Sequence, residues 1–176
     1  MIDVHVIVSS DTRRDWVEQC LESISDAAAQ AGFPVYVRTV DGVPGHIGCA
    51  RAAGYALGDQ PYVTFVDDDD YVLPHAFAQM RGALRRGVPA VCTPELILQN
   101  GHLGVGAPRH HLIAYRRDLI VDHDAWTCCG DVAQMSVITD DAVHLLSPAY
   151  VHRLYMDSKA RVLRRNNLDE LRQARG

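Results

Sequence analysis

The sequence contains no apolar stretch that approaches the roughly 20 residues needed to cross a bilayer. Its first residues, Met1 to Val4, lack the basic flank and the long apolar region of a secretory signal. With a formal net charge of −5 there is no surplus of basic residues, which argues against general nucleic-acid binding. These absences predict a cytoplasmic protein with no transmembrane segment.

Cysteine offers no framework for disulfide bonds or structural zinc. The five cysteines are an odd number, and the adjacent pair Cys128 and Cys129 lacks the two-residue gap that structural zinc sites favour. We interpret the cysteines as reduced and mostly buried thiols. A composition of 48% hydrophobic and 22% charged residues is ordinary for a globular protein, and 176 residues suit one domain.

Strand and helix patterns alternate along the first half of the chain. Short β-branched runs predict strands at residues 4–8, 35–40 and 62–66. Apolar stripes at helical spacing predict helices at residues 16–31, 47–57 and 74–86. This order predicts an α/β fold with a mostly parallel sheet and helices on both faces.

Local signals predict where these helices begin and end. Thr12 and Asp15 resemble a capping box at the start of the first helix. Gly32 suits the left-handed stop after that helix, and Pro74 suits the first turn of the third.

The second half is less regular. A hairpin is predicted around Asn100 and Gly101. Strands are predicted at residues 90–93, 112–115 and 149–155. Helices are predicted at residues 131–138 and 158–175, and the second of these is amphipathic with a basic polar face.

Four consecutive aspartates, Asp67 to Asp70, follow the third predicted strand directly. Residues 9–11 and Asp41 follow the first two strands, and ligands of parallel sheets bind at such carboxyl ends. Adjacent carboxylates repel one another, and Mg²⁺ or Mn²⁺ relieves the repulsion by taking oxygen ligands from them and from a substrate diphosphate. The alternative is a solvated acidic turn that stabilises the N-terminus of the next helix.

Three segments carry a family resemblance in the same order along the chain. Phe65 to Tyr71 (FVDDDDY) resembles the motif F-L-D-x-D-D-[YW]. Gly45 to Gly54 (GHIGCARAAG) resembles N-x-G-x-x-x-A-R-N-x-G, and Val40 to Gly42 partly matches V-D-D-G-S. The sequence therefore resembles glycosyltransferase family 2, whose members have the Rossmann-related GT-A fold. The resemblance implies an inverting, metal-dependent glycosyltransferase that uses a nucleotide-diphosphate sugar such as a UDP- or GDP-sugar.

The resemblance also implies roles for the residues at the strand ends. Asp67 would contact the ribose or help to hold the metal, Asp69 would be the principal metal ligand, and Asp70 would support it. Asp41 would bind the base and Ser9 would line its pocket. Without the resemblance, Asp41 is a turn former and Ser9 a strand terminator.

Three further residues, Arg51, Arg153 and Asp131, take roles from the resemblance. Arg51 would face the diphosphate or organise the acidic loop, or else be a surface partner of a nearby aspartate. Arg153, in a stretch similar to Y-Y-Y-R-x-H-x-x-S, would contact the diphosphate. Asp131 matches the second acid of an [ED]-D pair whose first acid is replaced by Gly130, and it is the predicted general base, with a helix N-cap as the alternative. Just upstream, Trp126 is a candidate platform under a sugar ring, and partly buried packing is the alternative.

The histidines are given no ligand role. Tyr155 stands where the family carries a metal- or diphosphate-binding histidine. Strand alternation places His152 on the opposite face from Tyr155, so His152 is interpreted as an ordinary strand histidine. His110 and His111 are interpreted as surface or packing residues.

We expect one GT-A-like domain over residues 1–176, with a nucleotide-sugar half at about 1–93 and an acceptor half and C-terminal helix at about 94–176. The acceptor is left open among a glycan, a lipid-linked glycan, a protein and modified DNA, and a homodimer is considered. Two alternatives have the same kind of fold. One is an inactive nucleotide-binding or scaffold module, and the other is a sugar nucleotidyltransferase, which residues 9–14 disfavour because they contain no glycine.

Overall fold

The computed structural model describes residues 1–42, 47–106, 111–120 and 140–154. The elements in chain order are β1 (Ile2–Val8), α1 (Arg14–Gln30), β2 (Val35–Asp41), α2 (Ile47–Ala56), β3 (Tyr62–Asp67), β4 (Tyr71–Val72), α3 (Ala76–Arg85), β5 (Ala90–Cys92), β6 (Glu95–Gln99), β7 (His102–Val105), β8 (Ala114–Arg116), a 3₁₀ turn (Arg117–Leu119), β9 (Val143–His144) and β10 (Tyr150–Leu154). The helices predicted at 131–138 and 158–175 lie outside the described residues.

The main sheet has six strands in the order β2-β1-β3-β8-β5-β9. Every pairing is parallel except those of β8, which runs antiparallel to β3 and β5. Val8 on β1 is level with Asp41 on β2, and Ile7 is level with Asp67 on β3. The carboxyl ends of these three strands therefore form one edge, and the predicted mostly parallel sheet is confirmed.

Helices cover both faces of this sheet, because each face carries buried apolar side chains. Val4 and Val6 belong to a core with residues of α1 and α3. Their neighbour Ile7 points the other way and joins a second core with Phe65 and with Tyr55 of α2. The predicted two-sided packing is confirmed.

A second sheet has the order β4-β10-β6-β7. Its β6–β7 hairpin turns at Asn100 and Gly101, whose φ angles are 51° and 77°, as the sequence predicts for this turn. In the same sheet β10 pairs antiparallel with β4, so that Val151 lies opposite Tyr71. This pairing places β10 beside the residues that directly follow the four aspartates.

The helix ends agree only partly with their local signals. Gly32 has a φ of +69° just after α1, as expected. The predicted capping box is wrong, because α1 has no side-chain cap and the Thr12 hydroxyl donates to Asp68 instead. Pro74 lies in the turn before α3, which begins at Ala76. Among the described residues no helix is both long enough and apolar enough to cross a membrane.

Candidate functional site

The four aspartates, hereafter the acidic loop (Asp67–Asp70), make a tight turn in which the Asp70 N–H donates to the Asp67 carbonyl at 3.1 Å. The turn sends successive side chains toward different elements. Each carboxylate therefore has its own set of partners.

The Asp67 carboxylate is held from α2 by Arg51. The Arg51 Nη2 atom donates to both carboxylate oxygens, at 3.0 and 3.2 Å. The guanidinium is buried and lies 4.0 Å from the centre of the Phe65 ring, a favourable cation–π contact. Arg51 thus organises the acidic loop, which was one of its two implied roles, while a contact with a diphosphate stays a prediction.

The Asp68 carboxylate ties the acidic loop to the end of β1. It accepts the Ser9 backbone N–H at 2.7 Å and the Thr12 hydroxyl at 3.0 Å. Burial raises the pKa of Asp68, and these two hydrogen bonds oppose the rise because they favour the charged form. The sequence motif treats this position as variable, so neither Asp68 nor Thr12 was predicted to take part.

Asp70 is fully buried, and its carboxylate has several hydrogen-bond partners on β10. It accepts the Tyr150 hydroxyl at 2.7 Å and the Arg153 backbone N–H at 2.7 Å. The His152 Nδ1 atom lies 2.9 Å from Asp70 Oδ2. A buried charge needs such partners to offset the cost of leaving water.

Asp69 has a different environment, in which negative charge dominates. Burial first, and then the carboxylates of Asp70, Asp67 and Asp68, raise the pKa of Asp69 to about 8, and His152 opposes part of this rise. The nearby carboxylates thus outweigh the histidine at this position. Closely spaced carboxylate oxygens suit a hard divalent cation such as Mg²⁺ or Mn²⁺.

Arg153 clamps the backbone of the acidic loop to α1. Its guanidinium donates to the Asp69 carbonyl and to Gln19 Oε1. It lies 4.9 Å from the centre of the Tyr71 ring and 5.5 Å from that of Trp16. This role in holding the loop was not predicted, and a diphosphate contact by Arg153 stays a prediction.

Two histidines stand against the acidic loop. The interpretation of His152 as an ordinary strand histidine is wrong, because its ring faces Asp70. His111 is buried, its Nδ1 lies 2.7 Å from Glu95 Oε2, and its Nε2 lies 3.8 Å from Asp67 Oδ2. Its ring stacks on Tyr150 and on His152, with ring centres 5.0 and 4.6 Å apart. No local sequence signal joins these residues, because they come from separate strands and loops.

The remaining predicted site residues divide into two groups. Asp41 is exposed at the end of β2, and the neighbouring Gly42 N–H donates to the Val8 carbonyl at 2.7 Å. This contact brings Asp41 to the same sheet edge as Ser9 and the acidic loop. Asp131 and Trp126 lie outside the described residues.

Comparison with known families decides the assignment. The model of the family "Glycosyl transferase family 2" matches residues 2–146. This chain belongs to glycosyl transferase family 2. A search of curated proteins gives no match.

Several solved structures have a fold similar to that of this chain. One is residues 1–349 of S. aureus TarS, with a TM-score of 0.67, 15% identity, and coverage of 86% of this chain and 60% of that one. The same fragment in complex with UDP-GlcNAc has a TM-score of 0.68 and 14% identity, covering 89% and 59% of the two chains. Rv0371C of Mycobacterium tuberculosis H37Rv, in complex with manganese, has a TM-score of 0.50 and 14% identity, covering 92% and 96%. At these identities the likeness shows the GT-A fold alone, and this chain spans 60% of the TarS fragment.

Proposed function

We propose that this family 2 chain transfers a sugar from a nucleotide-diphosphate donor to an acceptor hydroxyl. The observation that carries the proposal is the acidic loop itself. It lies at the edge where β1, β2 and β3 end, and its Asp69 is crowded by three other carboxylates. A diphosphate with a bound cation is the kind of ligand that such an edge accepts.

For the cation we propose Mn²⁺ or Mg²⁺ with Asp69 as the principal ligand and Asp67 and Asp70 in support. Asp69 is the principal ligand in this proposal because burial and the carboxylates of its neighbours raise its pKa to about 8, and a cation would relieve that repulsion. When bound, such an ion neutralises the charge that grows on the leaving nucleotide. Mn²⁺ is the first ion to test, because the structure of Rv0371C, which shares the fold, is a complex with manganese.

For the nucleotide we propose a pocket lined by Ser9 and Asp41, with Asp67 toward the ribose and Arg51 and Arg153 toward the diphosphate. Ser9 and Asp41 lie at the ends of neighbouring parallel strands. UDP is the first nucleotide to test, because solved structures of the similar protein TarS contain UDP and UDP-GlcNAc. GDP is the second.

The proposed reaction inverts the anomeric centre, with Asp131 as the base that takes the proton of the acceptor hydroxyl. The acceptor stays open among a glycan, a lipid-linked glycan, a protein and modified DNA, and a homodimer and a cytoplasmic location are proposed on sequence grounds alone. So is the division into a donor half up to about residue 93 and an acceptor half beyond it.

The test is calorimetric titration of the full chain with UDP, GDP and their sugar conjugates, in Mn²⁺ and in chelator. We expect one nucleotide to bind with micromolar affinity in Mn²⁺ and at least about 100-fold more weakly in chelator, because a bound cation would offset the repulsion between the diphosphate and the loop carboxylates. Asp69→Asn should bind no better in Mn²⁺ than the wild type does in chelator.

Asp26→Asn is the matched control, since Asp26 is an exposed aspartate on α1. It should behave as the wild type does. Equal affinity with and without the ion would contradict the metal role, and a folded chain that binds none of the nucleotides would favour an inactive scaffold.

A further inference from the structure

The strand β2 is an open edge of the main sheet. It pairs with β1 along all seven residues from Val35 to Asp41, and no strand of the described chain lies on its other side. The remaining sheet edges are shorter, since β4 and β9 have two residues each and β7 has four. An edge strand presents a row of peptide groups that can pair with another strand. β2 is therefore the edge along which such pairing can extend furthest.

The usual protection of an edge strand is missing from β2. Proline, lysine and bulges block edge pairing in natural sheets. Residues 35–41 (VYVRTVD) contain no proline or lysine, and their register with β1 runs without interruption. The one basic side chain, Arg38, lies with its Nε atom 3.6 Å from the carboxylate of the buried Asp3 on β1. Tyr36 and Val37 stay exposed, at 42% and 41%.

The backbone hydrogen bonds show which peptide groups of β2 face outward. The Ile2 N–H donates to the carbonyl of residue 34, so that residue faces β1. The N–H of residue 42 donates to the Val8 carbonyl, so that residue faces β1 as well. Alternate residues of a strand turn their peptide groups to opposite sides. Residues 35, 37, 39 and 41 therefore turn theirs toward the open edge.

We propose that β2 pairs with β2 of a second copy of this chain, antiparallel and centred on Val37, so that two six-stranded sheets join into one. In this register each Val37 lies opposite its counterpart, and residue 35 of each copy lies opposite residue 39 of the other. These pairs exchange about six main-chain hydrogen bonds. The homodimer proposed above on sequence grounds thereby takes a defined surface. The proposal concerns assembly alone and does not depend on sugar transfer.

Charge and side-chain fit select this register. A two-fold axis between two antiparallel strands always places one residue opposite itself. Centring the pair on Arg38 would bring two guanidinium groups together, and like charges directly opposite are destabilising. Centring it on Val37 instead places Tyr36 of each copy opposite Arg38 of the other, which suits a cation–π contact. The two Asp41 side chains then lie at opposite ends of the paired strands.

The segments outside the described residues begin and end in places that favour a second copy as the partner. Residues 43–46 and 107–110 are too short to pair along seven positions. Residues 121–139 lead toward β9 at the opposite edge of the sheet, five strand spacings of about 4.8 Å from β2. Residues 155–176 follow β10, which belongs to the second sheet. A second copy brings a strand of equal length and matching pattern by symmetry.

The test is sedimentation velocity of the full chain over a series of concentrations. We expect a reversible dimer at about 100 µM. Val37→Pro should weaken dimerisation at least about tenfold, because it removes an N–H at the centre of the pairing. The monomer should tolerate this change, since proline fits edge strands whose N–H faces solvent.

Val105→Pro is the matched control. Val105 is 83% exposed on the edge strand β7, and the neighbouring Gly106 N–H donates to the Glu95 carbonyl on β6. The Val105 N–H therefore faces outward, as that of Val37 does. Val105→Pro should dimerise as the wild type does.

Val37→Cys tests the register as well as the surface. Residue 37 would face itself with Cα atoms about 5.5 Å apart, within the range of a disulfide. Mild oxidation should therefore cross-link this variant into dimers. Thr39→Cys is the control, because residue 39 is exposed on the same face but would lie about 14 Å from its counterpart. Both are made with Cys49→Ser, which removes an exposed thiol, and the Cys49→Ser chain is oxidised in parallel.

Folding of each variant is checked by circular dichroism and thermal unfolding. If Val37→Pro fails to fold, cross-linking of Val37→Cys still decides the matter. A wild type that stays monomeric at about 100 µM would overturn the proposal, and so would a dimer that a folded Val37→Pro leaves intact. Cross-linking through Thr39→Cys and not through Val37→Cys would overturn the register.

Asp69→Asn separates this proposal from the proposed function. The variant should dimerise as the wild type does and lose Mn²⁺-dependent nucleotide binding. Val37→Pro should show the reverse, because antiparallel strands carry the two acidic loops to opposite ends of the interface and leave both open. Loss of dimerisation in Asp69→Asn would place the interface at the acidic loop and overturn the proposal.

Discussion

Asp69 and Asp70 have the same side chain and adjacent positions, yet the protein surrounds them in opposite ways. Asp70 points into the junction between the two sheets, where Tyr150, His152 and Arg153 of β10 provide hydrogen-bond partners. Asp69 lies among like charges, and burial together with those charges raises its pKa to about 8. Asp70 thereby fastens the loop to β10, whereas repulsion between carboxylates dominates the surroundings of Asp69.

The largest expected effect is that of replacing Asp70, which holds the acidic loop against β10. Asp70→Ala should lower the free energy of unfolding by about 3 kcal/mol or more, because it leaves buried donors on Tyr150 and Arg153 without their acceptor. Urea denaturation in chelator measures this. Asp118→Ala, at an exposed pair with Arg116, is the control and should cost less than about 1 kcal/mol. If both variants lose a similar free energy of unfolding, Asp70 does not hold the loop in the way described.

The second expected effect has the opposite sign, because replacing Asp69 should raise the free energy of unfolding. Because its pKa is raised in the folded chain, the unfolded chain releases the proton first, and the ionisable side chain costs stability as the pH rises from about 4 to about 8. Without metal, Asp69→Asn should therefore gain stability over the wild type across that range.

Urea denaturation of both proteins in chelator at pH 5, 7 and 9 measures the gain. The difference should grow from pH 5 to pH 7, change little above pH 8, and shrink when Mn²⁺ is added. A stability difference that does not depend on pH would show that the pKa of Asp69 is not raised in the folded chain.

The smallest expected effect tests the link to β1. Thr12→Val keeps the shape of the side chain but removes the hydroxyl that donates to Asp68, and should cost about 1 kcal/mol. Ser10→Ala, at an exposed neighbouring position, is the control. Loss of this bond should also raise the pKa of Asp68, which NMR titration of its carboxyl carbon would detect, and an unchanged pKa would contradict the assigned contact.

Much of the first half of the fold could be predicted because its signals are local. β-Branched runs fix β1, β2 and β3, a left-handed glycine ends α1, and parallel strands necessarily bring Ser9, Asp41 and Asp67 to one edge. The strands β4 and β9 were not predicted, since two residues are too few to show a period. The capping box was wrong because Asp68 competes for the Thr12 hydroxyl, and that competition exists only after β1 and β3 have paired.

The sequence by itself determined the alternation of strands and helices, the four carboxylates in a row, and their place at the end of a buried strand. Only the tertiary structure decided that hydrogen-bond donors of β10 surround Asp70 and that other carboxylates raise the pKa of Asp69. It also decided that His111, Glu95 and His152 meet behind the loop. The physical reason is that periodicity and capping act over a few residues, whereas the partners of Asp67 and Asp70 lie 16 to 83 positions away and are selected by sheet pairing.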